Sequence, residues 1–352
     1  MNSFSFTIPQ NIVVGAGSLK RLPELAKNLK KSKAYIISGP HLEKIGMVDK
    51  CREALKAAGI ESDAFTQTEG NPSTDTVAKA AEGFKSSNAD FIVAFGGGSP
   101  LDVAKAVAVI ASYGGNITDY EGGGKVPGPV VPMIAIPTTA GTGSEVTAFS
   151  VITDHSRNYK LTVVSNYLLP AYAILDPELI TTVPKSTAAA CGIDAMVHAL
   201  EAFISKAASP FSDLFAKEAL RLIGTNIRDY VLDRSNLAAC EAMLTGSLFA
   251  GIAFSHARLG DVHAMSHPVS AYFDVAHGVA NAVLLPTIVD YNMTYASEKY
   301  KYIYDCICEK PLDDDSFTPE MLAAEIRVLN DELGIPSSLS EVGVDSSLFD
   351  KM

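Results

Sequence analysis

Phe91-Ile-Val-Ala-Phe95 runs straight into Gly96-Gly97-Gly98-Ser99-Pro100-Leu101-Asp102, and a helical stretch, Val103–Ala111, follows at once. A short apolar run rich in aromatic and branched residues, closed by glycine, reads as a buried strand. Three glycines let the backbone approach a ligand with no Cβ in the way. Ser99 stands where an N-cap belongs, Pro100 at the first helical position and Asp102 at N3. Free N–H groups and the dipole at such a helix start suit an anion the size of a pyrophosphate. The same turn without a ligand is a tight strand-to-helix connection, and the triplet alone does not separate the two.

Outward from this turn, Ala34–Ser38 and Val131–Ile136 are further buried strands, and Val48–Ala58 and Thr74–Ser86 carry helical periodicity. Strand–helix alternation implies a parallel sheet covered by helices on both faces. No Gly-x-Gly-x-x-Gly follows the first strand; Gly15-Ala16-Gly17 lacks the third glycine and reads as a turn into a Ser18–Leu29 helix. A second polar turn, Pro137-Thr-Thr-Ala-Gly-Thr-Gly-Ser-Glu145, follows another strand. Its small hydroxyl residues suit a ribose, a phosphate or a nicotinamide amide. Both turns fall at the C-terminal ends of parallel strands, where open α/β sheets bind ligands.

Beyond Pro184 the texture changes to long Ala/Leu/Ile/Met segments: Ser186–Ser205, Asp213–Leu232 and Leu237–Ala253. The chain therefore divides into an α/β dinucleotide-binding domain over residues 1–180 and an all-α metal-binding domain over 181–352. The metal reading rests on two clusters. Asp194-x-x-x-His198 and His263-x-x-x-His267 each place two heads on one helix face, and His277 follows ten residues later. An ionised carboxylate among alanines and leucines is costly unless paired or ligating a cation. Carboxylate plus imidazole suits Fe²⁺ or Zn²⁺. Either both His263 and His267 ligate, or one ligates and the other faces a substrate. Pro268 is expected to end or kink that helix. His256 reads as a surface residue, and His41 and His155 as loop residues.

A net charge of −12 argues against nucleic-acid or anionic-membrane partners. The five scattered cysteines fit reduced thiols. No apolar run approaches the roughly 20 residues of a membrane span, and Met1–Gln10 lacks a signal pattern. A soluble, cytoplasmic protein is the expectation.

Four motifs in order carry a resemblance: Gly-Gly-Gly-Ser-Pro-x-Asp from Gly96, Pro-Thr-Thr-Ala-Gly-Thr-Gly-Ser-Glu-Val-Thr from Pro137, Gly-x-Asp-Ala-x-x-His-Ala-x-Glu from Gly192, and His-Ala-Met-x-His-Pro followed by His-Gly-Val-Ala-Asn-Ala-Val-Leu-Leu-Pro, from His263 and His277. Together, from about Phe4 onward, they resemble the iron-containing (group III) alcohol dehydrogenases, most of all the lactaldehyde reductase and 1,3-propanediol dehydrogenase branch. The likeness implies a dehydroquinate synthase-like α/β domain and a helical metal domain. It implies Asp194, His198, His263 and His277 as ligands of Fe²⁺ (or Zn²⁺), and His267 as the residue facing nicotinamide and substrate. Gly97, Gly98 and Ser99 match the pyrophosphate cradle of NAD or NADP. Asp102, Thr138, Thr139, Thr142 and Lys160 match other cofactor contacts, and Asn71-Pro72 the adenosine side.

The chain departs from the family pattern in three places. Ser38-Gly39-Pro40 stands where NAD-specific members often carry an acidic residue, and Gly39 removes the repulsion of a 2′-phosphate, so either nicotinamide is admissible. Asp261, Ser266 and Val269-Ser270-Ala271 replace small or apolar residues, which favours a more polar substrate. The chain also stops soon after Gly334-Ile-Pro, where the family continues, so a C-terminally truncated helical domain is expected.

The implied reaction moves a hydride between NAD(P) and a short-chain primary alcohol or diol of the propanediol or lactaldehyde kind. A Lewis-acid metal would lower the alcohol's pKa or polarise the aldehyde, and His267 would relay the proton. Small alcohols and aldehydes are the expected partners, and a homodimer or higher homo-oligomer the expected assembly. The competing enzyme reading is a dehydroquinate synthase-like or glycerol dehydrogenase-like NAD/zinc enzyme. The former needs a crowd of Lys and Arg that the helical half lacks near its ligands. A non-catalytic protein that keeps the fold is the third reading.

Overall fold

The computed structural model describes residues 6, 8, 10–310 and 313–352. It comprises two compact units: an α/β unit, Ile8–Thr139 with Ser144–Leu179, and a helical unit, Met1–Thr7 with Ala140–Gly143 and Ile180–Met352. The segment Ala140–Gly143, inside the second polar turn, thus belongs with the helices.

In the α/β unit the main sheet is built from β1 (Asn11–Val14), β2 (Lys33–Ile37), β3 (Glu61–Phe65), β4 (Phe91–Gly96), β6 (Met133–Pro137) and β9 (Tyr172–Leu175). They run in the order β1-β9-β6-β4-β2-β3, every pair parallel. Alternate residues serve opposite faces. Tyr35, Ile37, Ile92, Ala94, Met133 and Ala135 pack with α4 (Thr74–Ser87) and α5 (Gly98–Tyr113). Ala34, Ile36, Phe91, Val93, Phe95 and Ile134 pack with α1 (Leu22–Asn28) and α3 (Met47–Ala57) on the other side. A short α2 (Pro40–Lys44) follows β2 and carries His41, so that residue is helical and not in a loop.

A second, three-stranded sheet has the order β5-β8-β7, from β5 (Gly122–Gly123), β7 (Phe149–Asp154) and β8 (Tyr159–Val164). His155 lies in the turn of the antiparallel β7–β8 hairpin. The expected Ser18–Leu29 helix is a 3₁₀ turn, Ser18–Arg21, followed by α1; Pro23 fits because it falls within the first turn of α1, where N–H groups lack intrahelical partners.

The helical unit contains α6 (Lys185–Ile204), α7 (Pro210–Leu232), α8 (Leu237–Ala257), α9 (Asp261–Phe273), α10 (His277–Ile307) and α11 (Glu320–Leu333). Contrary to the sequence expectation, α6 and α8 are long and apolar enough to cross a membrane, with mean hydropathies of 1.3 and 1.6. Their apolar windows are 83% and 67% buried within the fold, the pattern of core helices. Pro268 does not end α9, which continues to Phe273; residue 268 simply cannot donate back to the Ala264 carbonyl. His256 is half-buried and stacks on Phe6 at 4.0 Å between ring centroids, so it is not a free surface residue.

Candidate functional site

The glycine-rich turn lies where the sequence placed it, with one correction. The N-cap of α5 is Gly97, not Ser99, and Pro100 is the third helical residue. A proline is admissible there because the first N–H groups of a helix have no intrahelical partner. Asp102 consequently lies in the second turn and makes no capping box.

Parallel pairing of β4 with β6 sets Gly96 beside Pro137, so both polar turns leave the sheet side by side. The Thr138 N–H donates to the Gly96 carbonyl at 2.9 Å. A Cβ on Gly97 would stand only 3.1 Å from Thr139 Oγ1, a closeness that glycine permits. Gly98 and Ser99 fill the first two positions of α5, leaving their N–H groups available to an anion. Lys160 Nζ donates to Asn71 Oδ1 at 2.8 Å, joining two more of the expected cofactor residues. Gly39 is the N-cap of α2, and a Cβ there would lie 3.2 Å from the Thr68 carbonyl oxygen. Thr142 is half-buried in the segment that belongs to the helical unit.

Asp102 is engaged within the protein. One oxygen accepts from the Ser144 hydroxyl at 2.6 Å and the other from the Val151 N–H at 3.0 Å. Burial raises its carboxyl while Lys105, Ser144 and Lys160 oppose the rise. One helical turn on is a residue the motifs did not flag, Lys105, which is fully buried. Its Nζ donates to Ser144 Oγ (2.9 Å), the Thr147 carbonyl (2.9 Å) and hydroxyl (3.1 Å), and the Phe149 carbonyl (2.7 Å). Burial lowers this ammonium to about 8. Helix α5 thus grips residues 144–151 through two side chains, fixing the far end of the second turn.

In the helical unit, Asp194, His198, His263 and His277 each offer a ligand atom, all within 4.8 Å of one another. Asp194 Oδ1 lies 3.9 Å from His198 Nε2, 3.8 Å from His263 Nε2 and 3.7 Å from His277 Nε2. Two ligands each about 2.0–2.2 Å from one ion lie up to roughly 4.4 Å apart, so these separations fit a shared cation. The donor set is buried except at His277, which is 24% exposed.

The helices converge for local reasons. Residues 194 and 198 share one face of α6, and Gly278 lets the start of α10 approach it, since a Cβ there would stand 2.4 Å from the Ala190 carbonyl. Nδ1 of His198 lies 3.3 Å from the Gly141 carbonyl, and Nδ1 of His263 lies 2.6 Å from Glu201 Oε2. In both rings the outer nitrogen carries the proton, leaving the Nε2 lone pair for a metal. His267 stands just outside, its ring centroid 5.9 Å from that of His263 and 5.3 Å from that of His277.

Glu201 and Asn281 join this cluster without having been expected there. Glu201 follows Asp194 by seven residues and so shares its helix face, and Asn281 follows His277 by four; those spacings were the available signal. Burial raises the Glu201 carboxyl against the opposing N–H groups of Gly260 and Val262.

A parallel-sheet unit with an anion-ready helix start, and a helical unit with a carboxylate–imidazole cluster, define the class of metal-assisted nicotinamide oxidoreductases. Known proteins agree. The iron-containing alcohol dehydrogenase profile matches residues 9–177, and the C-terminal profile of the Fe-containing alcohol dehydrogenase family matches 188–352. The chain is 38% identical to the 1,3-propanediol dehydrogenase of Klebsiella pneumoniae, over 99% of this chain and 91% of that protein. It is 35% identical to the NAD-dependent methanol dehydrogenase of Bacillus methanolicus, over 97% and 90%. A crystal structure of 1,3-propanediol oxidoreductase superposes with a TM-score of 0.94 at 38% identity, covering 99% of this chain and 92% of that one. The chain belongs to the iron-containing alcohol dehydrogenase family, oxidoreductases that use NAD(P) and iron. The dehydroquinate synthase-like alternative is not favoured.

Proposed function

We propose that this chain interconverts a short-chain primary alcohol or diol, of the propanediol or lactaldehyde kind, and its aldehyde, passing a hydride to or from NAD(P). Relatives named for methanol and 1,3-propanediol support a small, polar primary alcohol. Residues 1–180 would serve as the dinucleotide-binding domain and 181–352 as the metal-binding domain. The observation that carries the reading is the convergence of Asp194 with the Nε2 atoms of three histidines.

Asp194, His198, His263 and His277 would hold Fe²⁺, with Zn²⁺ as a substitute. The metal, when bound, supplies Lewis acidity toward the substrate oxygen. Glu201 and the Gly141 carbonyl keep the His263 and His198 rings turned for ligation. His267 exchanges a proton with solvent through its imidazole. The N–H groups of Gly98 and Ser99 receive the pyrophosphate, with Gly97 leaving room for it. Thr138, Thr139 and Thr142 offer hydroxyls to the nicotinamide half, Asn71 and Lys160 serve the adenosine side, and Gly39 stands beside the ribose. Asp102 serves by bracing the second turn. A cytoplasmic homodimer or higher homo-oligomer completes the reading.

The test is a panel of short alcohols and aldehydes assayed with both nicotinamides on iron-reconstituted protein kept free of air. Reduced-nicotinamide absorbance gives the turnover, and metal analysis of His263→Ala gives the ligand assignment. That variant is expected to lose metal and turnover together; full activity without bound metal refutes the assignment.

A further inference from the structure

We propose that Asn281 is a positioning residue that holds the metal ligands in register through its side-chain amide. The inference rests on the reading of Asp194, His263 and His277 as ligands. Asn281 sits one turn beyond His277 on α10 and is wholly buried. Its Nδ2 donates to Asp194 Oδ1 at 2.6 Å and lies 3.2 Å from Nε2 of both His263 and His277. One nitrogen therefore meets side chains from α6, α9 and α10.

The orientation of the amide follows from its neighbours. Turned round, its carbonyl oxygen would face the Asp194 carboxylate and the Nε2 lone pair that the Glu201 contact leaves on His263, both acceptors. As it stands, Oδ1 of Asn281 is buried with no hydrogen-bond partner among the described residues. A buried carbonyl left unsatisfied is unfavourable, so the contacts made by the nitrogen are what hold this orientation. The amide nitrogen has two N–H groups to share among Asp194, His263 and His277. Without metal, the amide keeps the carboxylate and two imidazoles from separating, so capture needs little reorganisation. With metal, it orients Asp194, as the outer partners of ligands do.

Two variants test this on the full chain, with Zn²⁺ as the probe and chelator competition as the readout. Asn281→Ala is expected to weaken Zn²⁺ binding about 10- to 100-fold, while NADH binding, followed by fluorescence, stays unchanged and far-UV circular dichroism reports an intact helical unit. Asn281→Asp keeps the shape but sets a carboxylate against Asp194. Its melting temperature without metal should fall, and added Zn²⁺ should raise it by more than in the parent. Equal or tighter Zn²⁺ retention by Asn281→Ala, or an Asn281→Asp response no larger than the parent's, overturns the proposal. A parent that binds neither Zn²⁺ nor Fe²⁺ overturns the ligand reading as well, which separates the two failures.

Discussion

His263 Nδ1 and Glu201 Oε2 lie 2.6 Å apart, both side chains buried. The other Glu201 oxygen accepts from the Val262 N–H at 2.7 Å, so the carboxylate braces the start of α9 as well as the ring. A carboxylate on Nδ1 fixes the tautomer and raises the basicity of Nε2. Glu201→Gln keeps an acceptor but removes the charge. It should weaken metal binding about 10- to 100-fold, measured by chelator competition. Unchanged affinity would show that the pair is structural only.

Legibility in the sequence followed physical pattern. The central strands β2, β4 and β6 are buried on both faces and read as continuous apolar runs. The edge strand β3, Glu-Ser-Asp-Ala-Phe, has no such run because one of its flanks is unpaired and none of its residues is fully buried. The four-residue β1 at the other edge is equally mute. In the site, the i, i+4 pairs were readable because one helix face presents both heads. Lys105 was not, since a lysine on a helix is ordinarily solvated, and only the fold reveals that α5 is buried along that side.

Removing that lysine takes a donor away from several buried acceptors. Lys105→Met retains the bulk of the stem but strips its hydrogen bonds from Ser144, Thr147 and Phe149. Breaking such a buried set costs about 3–5 kcal/mol, a fall of roughly 10 °C in melting temperature. Calorimetry checks it. Nicotinamide binding should weaken too, because the second polar turn loses its anchor. A variant as stable as the parent would mean that the pocket repacks around methionine.

Glu145 gives a pH signature. Burial pushes its carboxyl up to about 7 from an ordinary 4.5. Below pH 4.5 it is protonated whether the chain is folded or not, so it contributes nothing to pH dependence. Between 4.5 and 7 the unfolded chain ionises first and the folded form holds the extra proton. Stability from this group therefore falls as pH rises through that window, then levels off. Glu145→Gln removes the effect. The melting-temperature difference, variant minus parent, should grow from pH 4.5 to 7 and stay flat above. A difference independent of pH would contradict the buried, raised carboxyl.

Gly39 is the position at which nicotinamide preference can be set. It is the N-cap of α2 with extended backbone (φ −105°, ψ 162°), a conformation any residue adopts, and aspartate is a favoured N-cap. A Cβ would come 3.2 Å from the Thr68 carbonyl oxygen, a crowding relieved by a shift of a few tenths of an ångström. Gly39→Asp should therefore fold. Its carboxylate would accept from a ribose 2′-hydroxyl and repel a 2′-phosphate. The KM for NADP⁺ should rise at least about tenfold, a penalty of roughly 1.4 kcal/mol, while that for NAD⁺ holds or falls. Parallel changes in both would show that the ribose does not lie beside residue 39, and the cofactor pose proposed here would have to move.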